Sequence, residues 1–137
     1  EYGELIGIAF DDIIGIVSSS PSLAAALIAK DINDRSVATG AGVTALCGIT
    51  EPGVYGVLFT KKYPLIGAMV GGGIGGLLAG LVGMTQYVIS TPGFISIPAY
   101  INPDGTSANL IWAMVVMILA VTVAFGVTYV LGRKMEK

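Results

Sequence analysis

Apolar stretches of different lengths, separated by short polar breaks, make up most of the chain. Two of them, residues 64–83 and 108–131, contain no acidic or basic side chain. Each has about 20 residues or more, the length that a helix needs to cross a bilayer. Two further stretches, residues 13–30 and 36–60, are interrupted by polar or helix-breaking residues. The pattern predicts an all-α integral membrane protein with transmembrane helices at 64–83 and 108–131 and with re-entrant hairpin segments.

Residues 13–30 contain a polar interruption, Ser18-Ser19-Ser20-Pro21-Ser22. Serine followed by proline is typical of the N-cap and first residue of a helix, which predicts a helix from Pro21 to about Lys30. A helix of this length cannot cross a bilayer, so residues 13–30 are predicted to be a short buried helix of re-entrant type. Residues 1–12 mix acidic and apolar side chains and are interpreted as an interfacial or loop segment.

The stretch from 36 to 60 contains the break Gly48-Ile49-Thr50-Glu51-Pro52-Gly53. An acidic side chain between apolar flanks is energetically unfavourable in a membrane, which makes Glu51 a candidate functional residue. Pro52 lacks a backbone donor and Gly53 is a poor helix former, so an interruption of the helix is expected here. Transporters commonly build polar binding sites from such interrupted segments.

Basic residues mark the ends of the apolar stretches. They form three groups: Lys30 and Arg35; Lys61 and Lys62; and Arg133, Lys134 and Lys137. Basic residues of short loops concentrate on the cytoplasmic side, which places all three groups there. Residues 36–60 must then enter the membrane and return as a re-entrant hairpin with Glu51 at its tip. A full crossing by this stretch, with one exception to the rule, is the alternative.

Glycine and proline predict further local structure. Two ladders of glycines at four-residue spacing, Gly67/Gly71/Gly75 and Gly72/Gly76/Gly80, are typical of helix faces that pack closely. Residues 94–97 lie between prolines and are interpreted as a second, partly buried segment that does not span the membrane. Asn102-Pro103-Asp104-Gly105 predicts a turn, in which Asp104 has only a structural role.

Composition excludes several classes of protein. The 137 residues are 54% hydrophobic and 12% charged, whereas soluble domains have roughly a quarter charged residues. The net charge of −2 provides no basic face for nucleic acid. Without histidine and with a single cysteine, no metal site of the usual type and no internal disulfide can form, and no cofactor is expected. Cys47 is interpreted as a small buried hydrophobic residue. The start at Glu1 suggests a fragment of a longer protein.

The segment Gly48-Ile49-Thr50-Glu51-Pro52-Gly53-Val54-Tyr55-Gly56-Val57 closely resembles a family signature, G-I-T-E-P-x-x-Y-G-V. The signature belongs to the membrane (IIC) component of bacterial sugar phosphotransferase systems. Within the glucose superfamily, the chain is most similar to the β-glucoside, sucrose and trehalose members. The similarity extends through residues 62–66, 92–98 and 109–113 and covers about residues 18–131, the C-terminal portion of a IIC domain.

This resemblance implies a multi-pass permease of the bacterial cell membrane that binds a sugar and presents it for phosphorylation. Glu51 matches the glutamate that contacts the sugar hydroxyl receiving phosphate, and Gly48, Thr50 and Pro52 are the other predicted substrate-binding residues. The expected partners are the sugar, the IIB and IIA phosphoryl-carrier domains, the lipid bilayer and a second copy of the chain in a homodimer.

The family's phosphoryl-donor cysteine lies in its IIB domain, and its sugar-site histidine lies earlier in IIC. No catalytic residue is therefore expected in this chain, and whether to class it as an enzyme stays open. Two alternatives also stay open: an ion- or proton-coupled transporter or channel that uses Glu51, and a structural oligomerising module built on the glycine ladders.

Overall fold

The computed structural model describes residues 2–136, and these are mostly helical with no strand among them. The α-helices in chain order are α1 (Tyr2–Ile28), α2 (Ile32–Leu46), α3 (Glu51–Gly53), α4 (Phe59–Lys61), α5 (Tyr63–Val82) and α6 (Ala108–Met135). A π-helix, Val54–Leu58, joins α3 to α4, and a 3₁₀-helix, Phe94–Tyr100, lies between α5 and α6. The all-α fold class predicted from the sequence is confirmed.

Three helices of the described region are long and apolar enough to cross a membrane. These candidate spans are Gly7–Ile28, Tyr63–Val82 and Ala108–Met135. The second and third coincide with the predicted stretches 64–83 and 108–131. They leave most of their side chains exposed, whereas the candidate span within Gly7–Ile28 is largely buried by its neighbours. Exposed leucine, isoleucine and valine side chains along α5 and α6 fit contact with lipid.

The first helix is longer than the sequence predicted. No helix begins at Pro21, because α1 runs without interruption from Tyr2 to Ile28. It includes residues 2–12, which the sequence assigned to an interfacial or loop segment. Pro21 cannot donate a hydrogen bond to the carbonyl of Val17, four residues earlier. The Ser20 hydroxyl donates to that carbonyl instead, over 3.2 Å, so the freed acceptor is satisfied. The hydroxyl of Ser20 thus compensates for the hydrogen bond that the helix loses at Pro21.

Close packing of α5 against α6 follows the first glycine ladder. A methyl group at Gly71 would lie 2.5 Å from the Cβ of Ala124 and 2.8 Å from the carbonyl oxygen of Ala120. Added methyl groups at Gly67 and Gly75 would also overlap α6, at Thr128 and Ala120 respectively. The second ladder behaves differently, because a methyl group at Gly72 would have no atom within 4 Å. The first ladder therefore packs along its length against α6, whereas Gly72 of the second ladder does not, although Gly76 of that ladder is buried.

Residues 32–61 fold back on themselves as a hairpin. Its first leg is α2, and its second leg is the continuous helical segment from α3 to α4. At the open end of the hairpin, the Nζ atom of Lys61 lies 2.7 Å from Oδ2 of Asp34. Lys62, with φ of 54°, reverses the chain into α5. The hairpin shape fits the re-entrant prediction, while its depth in a membrane stays a prediction.

The connection between α5 and α6 returns into the body of the protein. Its 3₁₀-helix contains buried Ser96 and Tyr100, and it includes residues 94–97, which the sequence predicted to form a short, partly buried segment. Asn109 of α6 fixes this connection, since its side-chain amide donates to the carbonyl of Tyr100 over 2.9 Å. The predicted turn is also present, with the amide of Gly105 donating to the carbonyl of Asn102 over 2.9 Å.

Candidate functional site

The signature segment forms the tip of the hairpin. Helix α2 ends at Leu46 and α3 begins at Glu51, so the helix is interrupted directly before the glutamate, as Pro52 and its neighbours predicted. The side chains of Glu51 and Pro52 are exposed, and Thr50 is half-buried. Cys47, interpreted from the sequence as buried, is exposed because it lies at the end of α2, where the chain leaves the helix.

Gly48 brings the tip into contact with the loop between α5 and the 3₁₀-helix. It has φ of 97°, a conformation that favours glycine. A methyl group at Gly48 would lie 2.7 Å from the carbonyl oxygen of Pro92. In the opposite direction, a methyl group at Gly93 would lie 2.9 Å from the amide nitrogen of Gly48 and 3.0 Å from the carbonyl oxygen of Leu46. The two backbones therefore touch here, and we call residues 46–50 and 91–93 the tip–loop junction.

A buried carboxylate of α1 holds the loop side of this junction. Asp12 is 2% exposed, and its Oδ1 accepts a hydrogen bond from the amide of Gly93 over 2.8 Å. Its Oδ2 accepts from the hydroxyl of Tyr100 over 2.8 Å and from the hydroxyl of Ser96. Ser96 also lies 2.6 Å from the carbonyl oxygen of Gly93. All the partners of Asp12 named here are donors, which suits an ionised carboxylate because it only accepts hydrogen bonds.

Tyr100 remains a donor in this arrangement. Burial raises the pKa of its hydroxyl above the ordinary value of a tyrosine, and the nearby Asp12 carboxylate raises this pKa further. Both effects oppose loss of the proton, because a tyrosinate would be a second negative charge in a buried place. The hydroxyl proton is therefore available to Asp12 over the physiological pH range.

A partly open cavity of about 370 Å³ lies beside the tip. Its wall combines acidic, hydroxyl and apolar side chains: Asp11, Asp12, Ser18, Thr50, Ser90 and Ile89 are among its lining residues. The volume falls within the range of small-molecule sites, which is about 300–1,000 Å³. The hydroxyl oxygens and the carboxylate of Asp11 can accept hydrogen bonds from a polyhydroxylated ligand, whereas both oxygens of Asp12 already accept hydrogen bonds from the loop. Glu51 follows Thr50 directly in the chain but is not among the residues that line this cavity.

The base of the hairpin is fixed at the end of the molecule that carries the basic residues. The Nζ atom of Lys61 lies 2.7 Å from Asp34 and 3.2 Å from Glu136. The hydrogen bond to Asp34 raises the pKa of Lys61 above its ordinary value. The Nζ atom of Lys30 donates to the backbone carbonyl of Glu136 over 2.7 Å. The ends of α1, α4 and α6 thus meet at one end of the protein, and the cytoplasmic location of this end stays a prediction.

Sequence reasoning predicted residues on one side of the candidate site and missed those on the other. The structure brings Gly48 and Thr50 to the tip–loop junction and the cavity, while Glu51 and Pro52 follow them at the start of α3. The Asp12 cluster was missed because residues 1–12 were assigned to a loop. The signal was available, since an acidic residue in an apolar helix is a candidate functional residue by the argument that identified Glu51.

The chain is similar to several curated components of bacterial phosphotransferase systems. It is 34% identical over 121 residues to the "PTS system sucrose-specific EIIBC component" of Pasteurella multocida, which covers 88% of this chain and 24% of that protein. It is 35% identical over 112 residues to the "PTS system beta-glucoside-specific EIIBCA component" of Bacillus subtilis, covering 81% of this chain and 18% of that protein. With the "PTS system trehalose-specific EIIBC component" of Escherichia coli, identity is 36% over 92 residues, or 64% of this chain and 18% of that protein.

The chain thus spans between 18% and 24% of the length of these relatives. No protein-family model matches it, and no solved structure matches it. The similarity to relatives of several named specificities, at 30–42% identity over most of the chain, agrees with the resemblance of the signature segment. The chain belongs to the family of phosphotransferase-system sugar permeases and corresponds to the C-terminal portion of their membrane IIC region.

Proposed function

We propose that this chain is part of the sugar-binding and translocating region of a permease that couples sugar uptake to phosphorylation. The relatives named above are specific for sucrose, β-glucosides and trehalose. A sugar of this class, a di- or monosaccharide glucoside, is the proposed substrate. The phosphoryl group would come from the IIB and IIA partners, and the permease would lie in the bacterial cell membrane as a homodimer.

The observation that carries this proposal is the position of Glu51. Its side chain is exposed at the start of α3, on a tip that is otherwise packed against the protein through Gly48. An ionised carboxylate accepts two hydroxyl donors in one plane, which suits recognition of neighbouring hydroxyls on a sugar ring. Thr50 contributes to the adjacent cavity. We therefore assign sugar binding to Glu51 and Thr50, with Gly48 and Pro52 shaping the backbone between the two legs.

The depth of the tip supports this assignment. A methyl group at Gly53 would lie 3.1 Å from the hydroxyl of Ser22, and Thr50 shares a cavity with Ser18 and Gly15 of α1. From Ile28, at the basic end of α1, to Gly15 the helix rises by about 20 Å. The hydrocarbon core of a bilayer is about 30 Å thick. A hairpin that enters from the cytoplasmic side would therefore carry Glu51 past the middle of the membrane.

This topology has a direct test in the full-length permease. Single cysteines at Lys62 and Arg133 should react with a membrane-impermeant maleimide only from the cytoplasmic side, and a cysteine at Asp104 only from the outside. Everted and right-side-out vesicles provide the two orientations. Labelling of the Lys62 position from outside would mean that residues 36–60 cross the membrane completely, and it would remove the re-entrant hairpin.

The test of sugar binding is the substitution Glu51→Gln in the full-length permease. An amide replaces one acceptor oxygen with a donor, so a hydroxyl proton of the sugar loses its partner. We expect the Kd for radiolabelled sugar to rise by at least about tenfold, or ~1.4 kcal/mol. Membrane insertion should stay at the parental level, as measured by quantitative immunoblotting of membranes. Parental affinity in Glu51→Gln would exclude Glu51 from the site and contradict the proposed function.

A further inference from the structure

The buried hydrogen bonds of Asp12 link α1 to the loop that supports the hairpin tip. Asp12 accepts from the amide of Gly93 over 2.8 Å and from the hydroxyl of Tyr100 over 2.8 Å, across 81 and 88 positions of sequence. These bonds fix the start and the end of the 3₁₀-helix to α1. A buried carboxylate that lost them would be left without partners, which is unfavourable. The loop is therefore held in one place by a residue outside it.

The loop in turn limits where the tip can lie. Gly93 stands so close to the backbone of Leu46 and Gly48 that a single methyl group on it would overlap them. The carbonyl oxygen of Pro92 approaches Gly48 from the same side. Close-packed backbones of this kind transmit a displacement, because neither side has room to move independently. A shift of the loop would move Gly48 and, two and three residues later, Thr50 and Glu51.

We infer that Asp12 is a positioning residue of the sugar site. It holds the loop, and the loop orients Glu51 through the tip–loop junction. The carboxylate of Asp12 itself does not contact the sugar. This inference rests on the proposed function, because it assumes that Glu51 binds the sugar. Asp12 belongs to α1, Gly93 to the loop and Gly48 to the hairpin. The site geometry thus depends on three separate segments of the chain, of which only the hairpin carries the signature.

The test uses the full-length permease and two variants of the cluster. Asp12→Ala removes the acceptor of all three bonds, and Tyr100→Phe removes one donor while keeping the aromatic ring. Tyr129→Phe is the matched control, because Tyr129 lies on α6, stacked on Phe125 and away from the junction. Equilibrium binding of radiolabelled sugar gives both the Kd and the number of binding sites per folded protein.

We expect Tyr100→Phe to raise the Kd by about threefold or more, which is part of the roughly tenfold that a hydrogen bond to a charged group is worth. The number of sites should stay at the parental level. A purely structural role predicts the reverse, namely fewer sites with an unchanged Kd in the molecules that remain folded. Tyr129→Phe should leave both quantities unchanged. An unchanged Kd in Tyr100→Phe, with Glu51→Gln impaired, would overturn the inference and leave the proposed function intact.

A double-mutant cycle separates positioning from independent damage. When Glu51 is already glutamine, its orientation matters less, so Tyr100→Phe should change the Kd by less than it does in the parent. Full additivity of the two substitutions would overturn the positioning role. Asp12→Ala should behave like Tyr100→Phe with a larger effect, and if it fails to fold, Tyr100→Phe alone decides.

A second measurement does not depend on sugar. Cys47 is exposed directly before Gly48, so the rate at which it is alkylated reports on the mobility of the tip. Asp12→Ala or Tyr100→Phe should increase this rate several-fold in the sugar-free permease, as quantified by mass spectrometry of the Cys47 peptide. If Glu51→Gln proves harmless, this rate still decides whether Asp12 holds the tip. An unchanged rate in both variants contradicts the inference.

Discussion

The α5–α6 interface and the tip–loop junction are both built on glycine backbones in close contact, but they differ in what surrounds the glycines. Along α5, Gly71 and Gly75 meet the alanines of α6. Gly67 meets the hydroxyl of Thr128, which donates to the carbonyl of Ala124 within α6 and so forms no hydrogen bond between the two helices. At the junction, Gly48 and Gly93 meet backbone carbonyl and amide groups, and Asp12 supports them from α1. The first contact joins two regular helices, and the second joins two irregular segments.

We interpret the α5–α6 interface as a contact that stabilises the fold and the tip–loop junction as a contact that shapes the proposed site. Helices that pack through small residues gain dispersion contacts along their whole length, and every turn contributes. An irregular junction at membrane depth must instead satisfy each of its backbone polar groups individually, because the bilayer interior offers no water. Irregular backbone of this kind occurs in membrane proteins where it is buried in protein or lines a cavity, as at a binding site. We therefore expect changes at the interface to affect folding and changes at the junction to affect sugar affinity.

The largest effect should come from Gly71→Leu. A methyl group alone would already lie 2.5 Å from Ala124, and a leucine would force α5 and α6 apart. Overpacking of this kind is expected to destabilise the protein by about 3 kcal/mol, the upper end of its usual range. Membrane insertion should be unaffected, since the segment becomes more apolar. The measurement is the fraction of detergent-solubilised permease that stays monodisperse after heating.

Gly72→Leu is the matched control, because an added methyl group at Gly72 has no atom within 4 Å. The two substitutions are adjacent and chemically identical, and only the direction of the side chain differs. We expect near-parental thermal stability for Gly72→Leu. Equal losses in both variants would mean that both glycine ladders are packed, as the sequence alone had predicted, and the contrast between the two faces of α5 would be wrong.

Sequence patterns predicted the helices α5 and α6 but not the junction, and the reason is the range of the interactions. Apolar length and glycine spacing are properties of one continuous segment, so residues 64–83 and 108–131 could be recognised directly. The hairpin tip was recognisable for the same reason, because Pro52 and Glu51 are local signals. The contact of Gly48 with Pro92 joins segments more than 40 positions apart, and nothing local in either segment specifies the other.

The error at α1 has a similar physical origin. Ser20-Pro21 is a valid helix start when the proline lacks a preceding turn, and the sequence alone does not say whether one is present. The preceding turn forms here because the hydroxyl of Ser20 takes over the bond to Val17 that Pro21 cannot make. Packing of α2, α5 and α6 around the helix then buries it. Packing against the rest of the protein therefore determined that Ser20-Pro21 lies inside a helix and does not begin one. The same packing buries Asp12.

Gly48→Ala should have a smaller effect on stability and a larger one on binding. Its φ of 97° is unfavourable for alanine, and the added methyl group would lie 2.7 Å from the carbonyl oxygen of Pro92. Strain of this kind is worth about 1–3 kcal/mol, and part of it can be relieved by moving the tip away from the loop. The tip carries Glu51, so relief of strain should raise the Kd for sugar by roughly tenfold.

The matched control is Gly40→Ala on the first leg of the same hairpin. Gly40 lies within α2, and an added methyl group there would have no atom within 4 Å. Alanine is a better helix former than glycine, so this substitution should stabilise the hairpin by about 0.4–1 kcal/mol and leave the Kd unchanged. Binding isotherms and thermal unfolding of the two variants, measured side by side, decide the comparison. A loss of stability in Gly48→Ala with parental sugar affinity would make the tip–loop junction a packing contact like the α5–α6 interface, since its geometry would then have no influence on Glu51.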